Sequence, residues 1–94
     1  MQFVLSRRAA ADYITVYESG LERFGLRQAE VYLDRLDAML ALIAEQPGIG
    51  RVRTELSGSP RAHAFGAHVI LWDVLPDGTI KILRIRHQRE DWQG

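Results

Sequence analysis

The chain has 94 residues, 47% hydrophobic and 26% charged, which suits one globular domain with a modest core and argues against disorder or a two-domain layout. Twelve cations balance twelve acids, so the basic surplus of a general nucleic-acid binder is missing, and the lack of cysteine excludes disulfides, thiolate metal sites and thiol nucleophiles. No apolar run nears the roughly 20 residues that span a bilayer, and MQFVLSRRAAAD places Arg7 and Arg8 after its apolar stretch, the wrong order for a secretion signal, so a cytoplasmic protein is expected.

Gln2 to Leu5 is a short apolar run that reads as a strand, ended by Ser6, a good helix N-cap. Ala10, Tyr13, Ile14, Tyr17, Leu21 and Phe24 then recur at helical spacing, predicting an amphipathic helix from Arg7 to Phe24 with a weak point at Gly20. Gly25 is a natural C-cap, after which Ala29, Tyr32, Leu33, Leu36, Met39, Leu40 and Ile43 form a second, wider stripe that Pro47 and Gly48 stop. So short a connection requires the two helices to lie antiparallel as a hairpin. QPGIGRVRTELSGSP, residues 46 to 60, has no clear period and is expected to be a loop.

Three strands follow. Arg61 to Phe65 alternates large side chains with Ala62 and Ala64, Gly66 marks a tight turn or bulge, and His68 to Leu75 is the next strand. Pro76-Asp77-Gly78 is a hairpin turn, because proline presets φ and glycine accepts a positive one, and Thr79 to His87 closes the meander. Along that last strand the apolar phase moves from Ile80 and Ile82 to Leu83 and Ile85, so either both faces are covered or a bulge sits near Leu83. The order β, αα hairpin, long loop, βββ predicts an α+β fold with the helices on one face of a mostly antiparallel sheet.

The segment KILRIRHQREDW is the chemically distinctive part. Residues 51 to 94 carry seven cations against five acids, and Lys81, Arg84, Arg86 and Arg89 stand together at their end. Arg84 and Arg86 share a strand face by the two-residue period, and His87 points the other way. The cluster is either a cationic surface for an acidic partner or a solvated edge whose charges discourage sheet-to-sheet aggregation. His63, His68 and His87 are spaced 5 and 19 apart, which matches no metal-ligand motif, and no metal or other cofactor is expected. The aromatic and leucine stripes of the helices read first as core.

SRRAAADYITVYESGLERFG, then QAEVYLDRLDAMLALIAEQPGIGRVRTEL, then RAHAFGAHVILWDVLPDGTIKILRIRHQREDW together resemble the ParE-type toxins of the RelE/ParE superfamily over nearly the whole chain. The resemblance implies a single toxin domain over residues 1 to 94, the toxin of a type II toxin-antitoxin system. It further implies neutralisation by a cognate ParD-like antitoxin, whose disordered C-terminal segment wraps the toxin, in a toxin-antitoxin hetero-oligomer. For the ParE branch the implied action is non-enzymatic inhibition of DNA gyrase by binding, with no cofactor, no specific nucleic acid and no membrane. On this reading Arg84, Arg86, His87 and Arg89 meet the target, and Tyr13, Tyr17, Leu36, Leu40, Arg61 and Arg84 meet the antitoxin. From the residues alone, Trp72 and Trp92 read as packing residues, with Trp92 expected to tether the C-terminus to the domain.

Two departures from the family pattern stand out. Ser6-Arg7-Arg8-Ala9 lacks the proline of the common "SPRA" opening, and His87-Gln88-Arg89-Glu90-Asp91 replaces "HGRRD" with one arginine fewer and one acid more. The RelE branch, which cleaves mRNA on the ribosome, is the alternative. Cutting RNA through its 2′-OH needs a base, cations for the phosphorane and an acid. Glu55 or His63, then Arg61, Arg84 and Arg86, then His87 supply those types, but Lys81 is the only lysine and Gln88 follows His87 where that branch favours tyrosine. A decayed member that binds its antitoxin without toxicity is the third reading. The gyrase-directed reading predicts that Arg84→Ala with Arg86→Ala abolishes toxicity and leaves the melting temperature nearly unchanged.

Overall fold

The computed structural model describes residues 3–89. Gln2, Glu90, Asp91 and Trp92, which the sequence reading also used, lie outside them. The elements in chain order are β1 (Phe3–Leu5), α1 (Arg7–Phe24), α2 (Leu26–Glu45), a 3₁₀ turn (Pro47–Ile49), β2 (Arg51–Val52), β3 (Arg61–Phe65), β4 (His68–Val74) and β5 (Ile80–His87). They form one five-stranded sheet in the order β1-β5-β4-β3-β2. β1 runs parallel to β5, and every other pairing is antiparallel.

The two helices are joined at Gly25 alone, whose φ of 88° turns the chain where a side chain would be strained. The hairpin is antiparallel: Gly20 of α1 lies so close to Ala29 of α2 that a Cβ at Gly20 would stand 3.3 Å from the alanine methyl, while further along the Tyr13 hydroxyl reaches Asp37. Gly20 is therefore a close-approach point between helices rather than a fraying end. One face of the hairpin packs on one face of the sheet, where Ala9, Val16, Leu36, Leu40 and Ile43 meet Ile70, Trp72, Ile80, Ile82 and Ile85. A smaller cluster of Leu56, Ala62, Val69 and Leu71, with Leu83 against it, covers part of the opposite face.

The expected loop over residues 46 to 60 is partly ordered. Pro47–Ile49 makes a 3₁₀ turn, Arg51–Val52 adds an edge strand to β3, and Leu56 folds onto the open sheet face. Two paired residues leave no periodicity to read. Gly50 is fixed by packing, since a Cβ there would stand 2.3 Å from the Trp72 ring.

β5 resolves its two alternatives in favour of a bulge. Leu71 pairs with Arg84 and Trp72 with Ile82, which leaves Leu83 unopposed. Before the bulge Ile80 and Ile82 face the helices; after it Ile85 takes that side and Leu83 joins the opposite cluster. The extra residue is what lets an isoleucine reach the main core at both ends of the strand.

Candidate functional site

β1 is only three residues long, so it covers β5 as far as Ile82 and no further. An uncovered strand edge leaves backbone donors and acceptors that must find partners elsewhere. α1 supplies them. The Ser6 backbone N–H donates to the Ile82 carbonyl at 2.8 Å and the Ser6 hydroxyl donates to the Leu83 carbonyl at 2.9 Å. The same hydroxyl accepts from the Ala9 N–H, capping the helix at 3.0 Å. One and a half turns later the Asp12 carboxylate accepts from the Ile85 N–H at 2.9 Å and takes a two-pronged bond from Arg84, at 2.7 Å from Nε and 3.0 Å from Nη2.

Register places Arg84 and Arg86 on the sheet face away from the helices, opposite Leu71 and Val69, as the two-residue period predicts. His87 lies on the helix side, across from His68. The sharing of one face does not make a matched pair of open cations. Arg84 wraps its guanidinium around the β5 edge to Asp12 and is three-quarters buried, so the expectation of a solvated arginine there is corrected. Arg86 is half-buried beside the smaller core cluster, and Arg89 is exposed in the turn after β5, where its backbone N–H donates to His87 Nδ1 at 3.1 Å.

The residues expected to meet an antitoxin divide. Leu36 and Leu40 are 0% and 2% exposed in the main core, which removes them from any surface; their stripe is the helix face turned toward the sheet. Tyr13 packs against that core and donates its hydroxyl to Asp37 at 2.6 Å. Burial, with the Asp37 carboxylate as acceptor, pushes the Tyr13 phenol up to about 12. Tyr17 is half-buried. Arg61 donates from Nη1 to the Gly50 carbonyl at 3.0 Å and so braces the turn into β2.

The parts that RNA cleavage would need do not converge on one face. Arg61, His63 and His87 stand in register positions on the helix side, whereas Arg84 and Arg86 stand on the other. Glu55 is exposed and ion-paired with Arg53, and hydrogen bonds to its backbone and to Arg53 hold its carboxyl below the usual range. Among the described residues no cluster of three His, Asp or Glu side chains is spaced to hold a metal ion.

A groove of about 480 Å³ lies beside the Gly25 turn that closes the hairpin, between α1, α2 and the ends of β4 and β5. Val16, Gly20, Phe24 and Ala29 form its apolar wall, and Tyr32, His68 and His87 form its polar end. Phe24, at its rim, is 65% exposed among the described residues, and Leu26 beside it 58%, a costly exposure for two large apolar side chains. At the polar end the Tyr32 hydroxyl lies 3.2 Å from the Phe65 carbonyl and 2.7 Å from His68 Nδ1. The His68 and His87 rings meet edge to face at 5.3 Å. Burial raises the Tyr32 phenol above its ordinary value, with the Ala67 backbone pulling the other way. The arrangement depends on Gly66, at φ 53°, where a Cβ would stand 2.6 Å from the Tyr32 hydroxyl.

Sequence reading missed Asp12, Phe24 and the Tyr32–His68 contact as site features. A signal for Asp12 was present: it falls on the Ala9, Val16, Gly20 side of α1, and an acid on a helix's buried stripe needs a partner. The meeting of Tyr32 with His68 depends on how the hairpin sits across the sheet, which no local pattern encodes.

Residues 3–92 match the family described as the ParE toxin of type II toxin-antitoxin system, parDE. The Toxin ParE1 of Mycobacterium tuberculosis (strain CDC 1551 / Oshkosh) is 33% identical over 90 residues, spanning 96% of this chain and 92% of that protein. The Toxin ParE1 of Caulobacter vibrioides is 37% identical over 84 residues, spanning 89% and 85%. Among solved structures, a chain of the chromosomal ParDE TA system from P. aeruginosa superposes with a TM-score of 0.79 at 20% identity, over 93% of this chain and 95% of its own, and shows the same fold. With its strand, helical hairpin and mixed sheet in matching order along nearly its full length, the chain belongs to the ParE toxin family of type II toxin-antitoxin systems.

Proposed function

We propose that this chain acts as a single toxin domain over residues 1–94 that inhibits DNA gyrase by binding it, without catalysis, and is held inactive in the cytoplasm by a ParD-like antitoxin. The family match over residues 3–92 is the observation that carries this reading. The name of the P. aeruginosa relative's structure, a ParDE system, favours an antitoxin partner here too. The groove between the hairpin and the sheet, rimmed by exposed Phe24, suits an amphipathic helical segment of such a partner. Tyr17 and Arg61 remain on the antitoxin side of the proposal, and Arg86, His87 and Arg89 on the target side.

A binding mode of action is favoured over RNA cleavage because two of the three candidate phosphate-holding arginines, Arg84 and Arg86, stand on the opposite sheet face from the candidate base His63 and acid His87. General acid-base chemistry requires those groups within hydrogen-bond reach of one phosphate. Induced expression in a bacterial host tests the reading. Growth arrest with intact mRNA, relieved by co-expression of the antitoxin encoded beside the toxin, is the expected result. Mapped mRNA breaks would transfer the chain to the nuclease reading, and undisturbed growth would make it a non-toxic member.

A further inference from the structure

A second depression, of about 390 Å³, lies where the first turn of α1 crosses the edge of β5, and the proposed function leaves it unused. Ser6, Arg7 and Arg8 line one side, Lys81, Leu83 and Arg84 the other. Ile80 and Ile82 face the helices, so Lys81 between them stands on the open face of the sheet. Leu83, half-buried beside the smaller core cluster, supplies the apolar floor. Arg84 is committed to Asp12, but Arg7, Arg8 and Lys81 enter no ion pair or side-chain hydrogen bond among the described residues. Asp73, the cross-strand neighbour of Lys81, forms no ion pair with it, so three uncommitted cations stand against one acid. Arg7 also holds the first helical position, which a proline would suit.

The wider charge pattern points the same way. From Asp12 to Glu45 the helices carry three cations against seven acids, whereas residues 3–8 and 46–89 carry nine against three. The chain, neutral overall, thus has a negative helical side and a positive sheet side whose field draws an anionic partner. Cations that only guard a strand edge need no concave neighbour, and these rim one. A nucleic-acid backbone calls for cations and polar donors spread over a face; here the cations surround Leu83 and their own aliphatic stems. That combination fits a peptide segment with an apolar side chain between carboxylates. The depression also adjoins the groove. Asp12 lines the groove, Arg84 lines the depression, and the bond between them is the shared wall. One turn of α1, about 5.4 Å, separates Arg8 from Asp12, a step that two extended residues span.

We infer that the Arg7, Arg8 and Lys81 corner is a second docking subsite for the antitoxin, holding an extended acidic segment that continues from the one in the groove and seats an apolar side chain on Leu83. The inference rests on the proposed antitoxin reading. Exposed ion pairs are individually weak, so the subsite acts through three of them together with the apolar contact, and its contribution falls as salt rises.

Calorimetric titration of the intact chain with the co-encoded antitoxin tests it. Arg7→Gln, Arg8→Gln and Lys81→Gln combined should raise the dissociation constant roughly tenfold and flatten its salt dependence. Arg7→Gln with Arg8→Gln, both at exposed positions that leave β5 untouched, should raise it roughly fivefold. The same change of charge placed away from the depression, on α2 and the far edge strand, is the control: Arg27→Gln, Arg35→Gln and Arg51→Gln combined should leave the constant within about twofold of the parent. An unchanged constant in the first triple variant, or an equal rise in the second, would overturn the subsite while leaving the antitoxin reading intact. Unchanged antitoxin affinity in the first triple variant together with lost binding to a labelled DNA duplex would assign the corner to nucleic acid, and would also overturn it. Absence of antitoxin binding by the parent chain would overturn both.

Discussion

Asp12 shows how one side chain can set the chemistry of a whole strand. Its carboxylate satisfies a backbone N–H of β5 and an arginine that would otherwise be a buried, uncompensated charge. Removing one partner of a buried pair costs about 3–5 kcal/mol and of an exposed pair less than about 1. With side-chain exposures of 16% and 25%, this pair falls between, and Asp12→Ala is expected to destabilise by about 2 kcal/mol, read as a lowered chemical-denaturation midpoint with an unchanged slope. Arg84→Ala removes the charge together with its bonds and should lower the melting temperature as well. The sequence-based expectation that Arg84→Ala with Arg86→Ala would leave stability nearly untouched is therefore withdrawn. Arg89→Ala, at an exposed turn position, is the cleaner probe of a target-facing cation. Tyr13 contributes at the other end of the pH scale: its folded value near 12 lies above an unfolded value near 10, so its contribution is complete below pH 10 and is lost as pH rises toward 12. Tyr13→Phe should flatten the melting-temperature decline across that interval relative to the parent.

At the scale of elements, what was legible in the sequence followed from strong local signals. The bounds of α1 were readable because Ser6 caps it and Gly25 ends it, and the β4–β5 hairpin because Pro76-Asp77-Gly78 admits few other conformations. Ser6 proved to have a second role that capping rules do not contain, the hydroxyl bond to Leu83 across 77 residues of sequence. Ser6→Ala should accordingly cost about 2 kcal/mol, the sum of a lost cap near 1 and a lost hydrogen bond near 1, measured by denaturation. Gly66→Ala combines a left-handed backbone, worth roughly 1–2 kcal/mol, with a collision at the Tyr32 hydroxyl, so a loss of about 2–3 kcal/mol is expected. Ala67→Gly in the same turn is the comparison that separates backbone strain from damage to the groove. β2 and the bulge at Leu83 were harder to read, the first because two residues carry no period and the second because the phase shift admitted two packings until β4 supplied the register.

For the molecule as a whole, a net charge of zero conceals a division of labour between the two sides of one sheet. The helix side carries the core and ends in the groove with its tyrosine and histidine pair; the other side carries Arg86, a smaller apolar cluster and the exposed Arg89 turn. The C-terminal cations were legible in the sequence as candidates for meeting a partner, but the tie of Arg84 to Asp12, a residue 72 positions away in sequence, was not. The two leucines first assigned to the antitoxin failed for the opposite reason, since an amphipathic stripe says which face is apolar and not what covers it. The central claim is that the chain acts by occupying gyrase. Titrating the purified toxin, free of antitoxin, into a DNA supercoiling reaction tests it most directly. The account predicts inhibition that saturates as toxin approaches the gyrase concentration and weakens with Arg89→Ala. Full supercoiling activity at a large excess of folded toxin would contradict it.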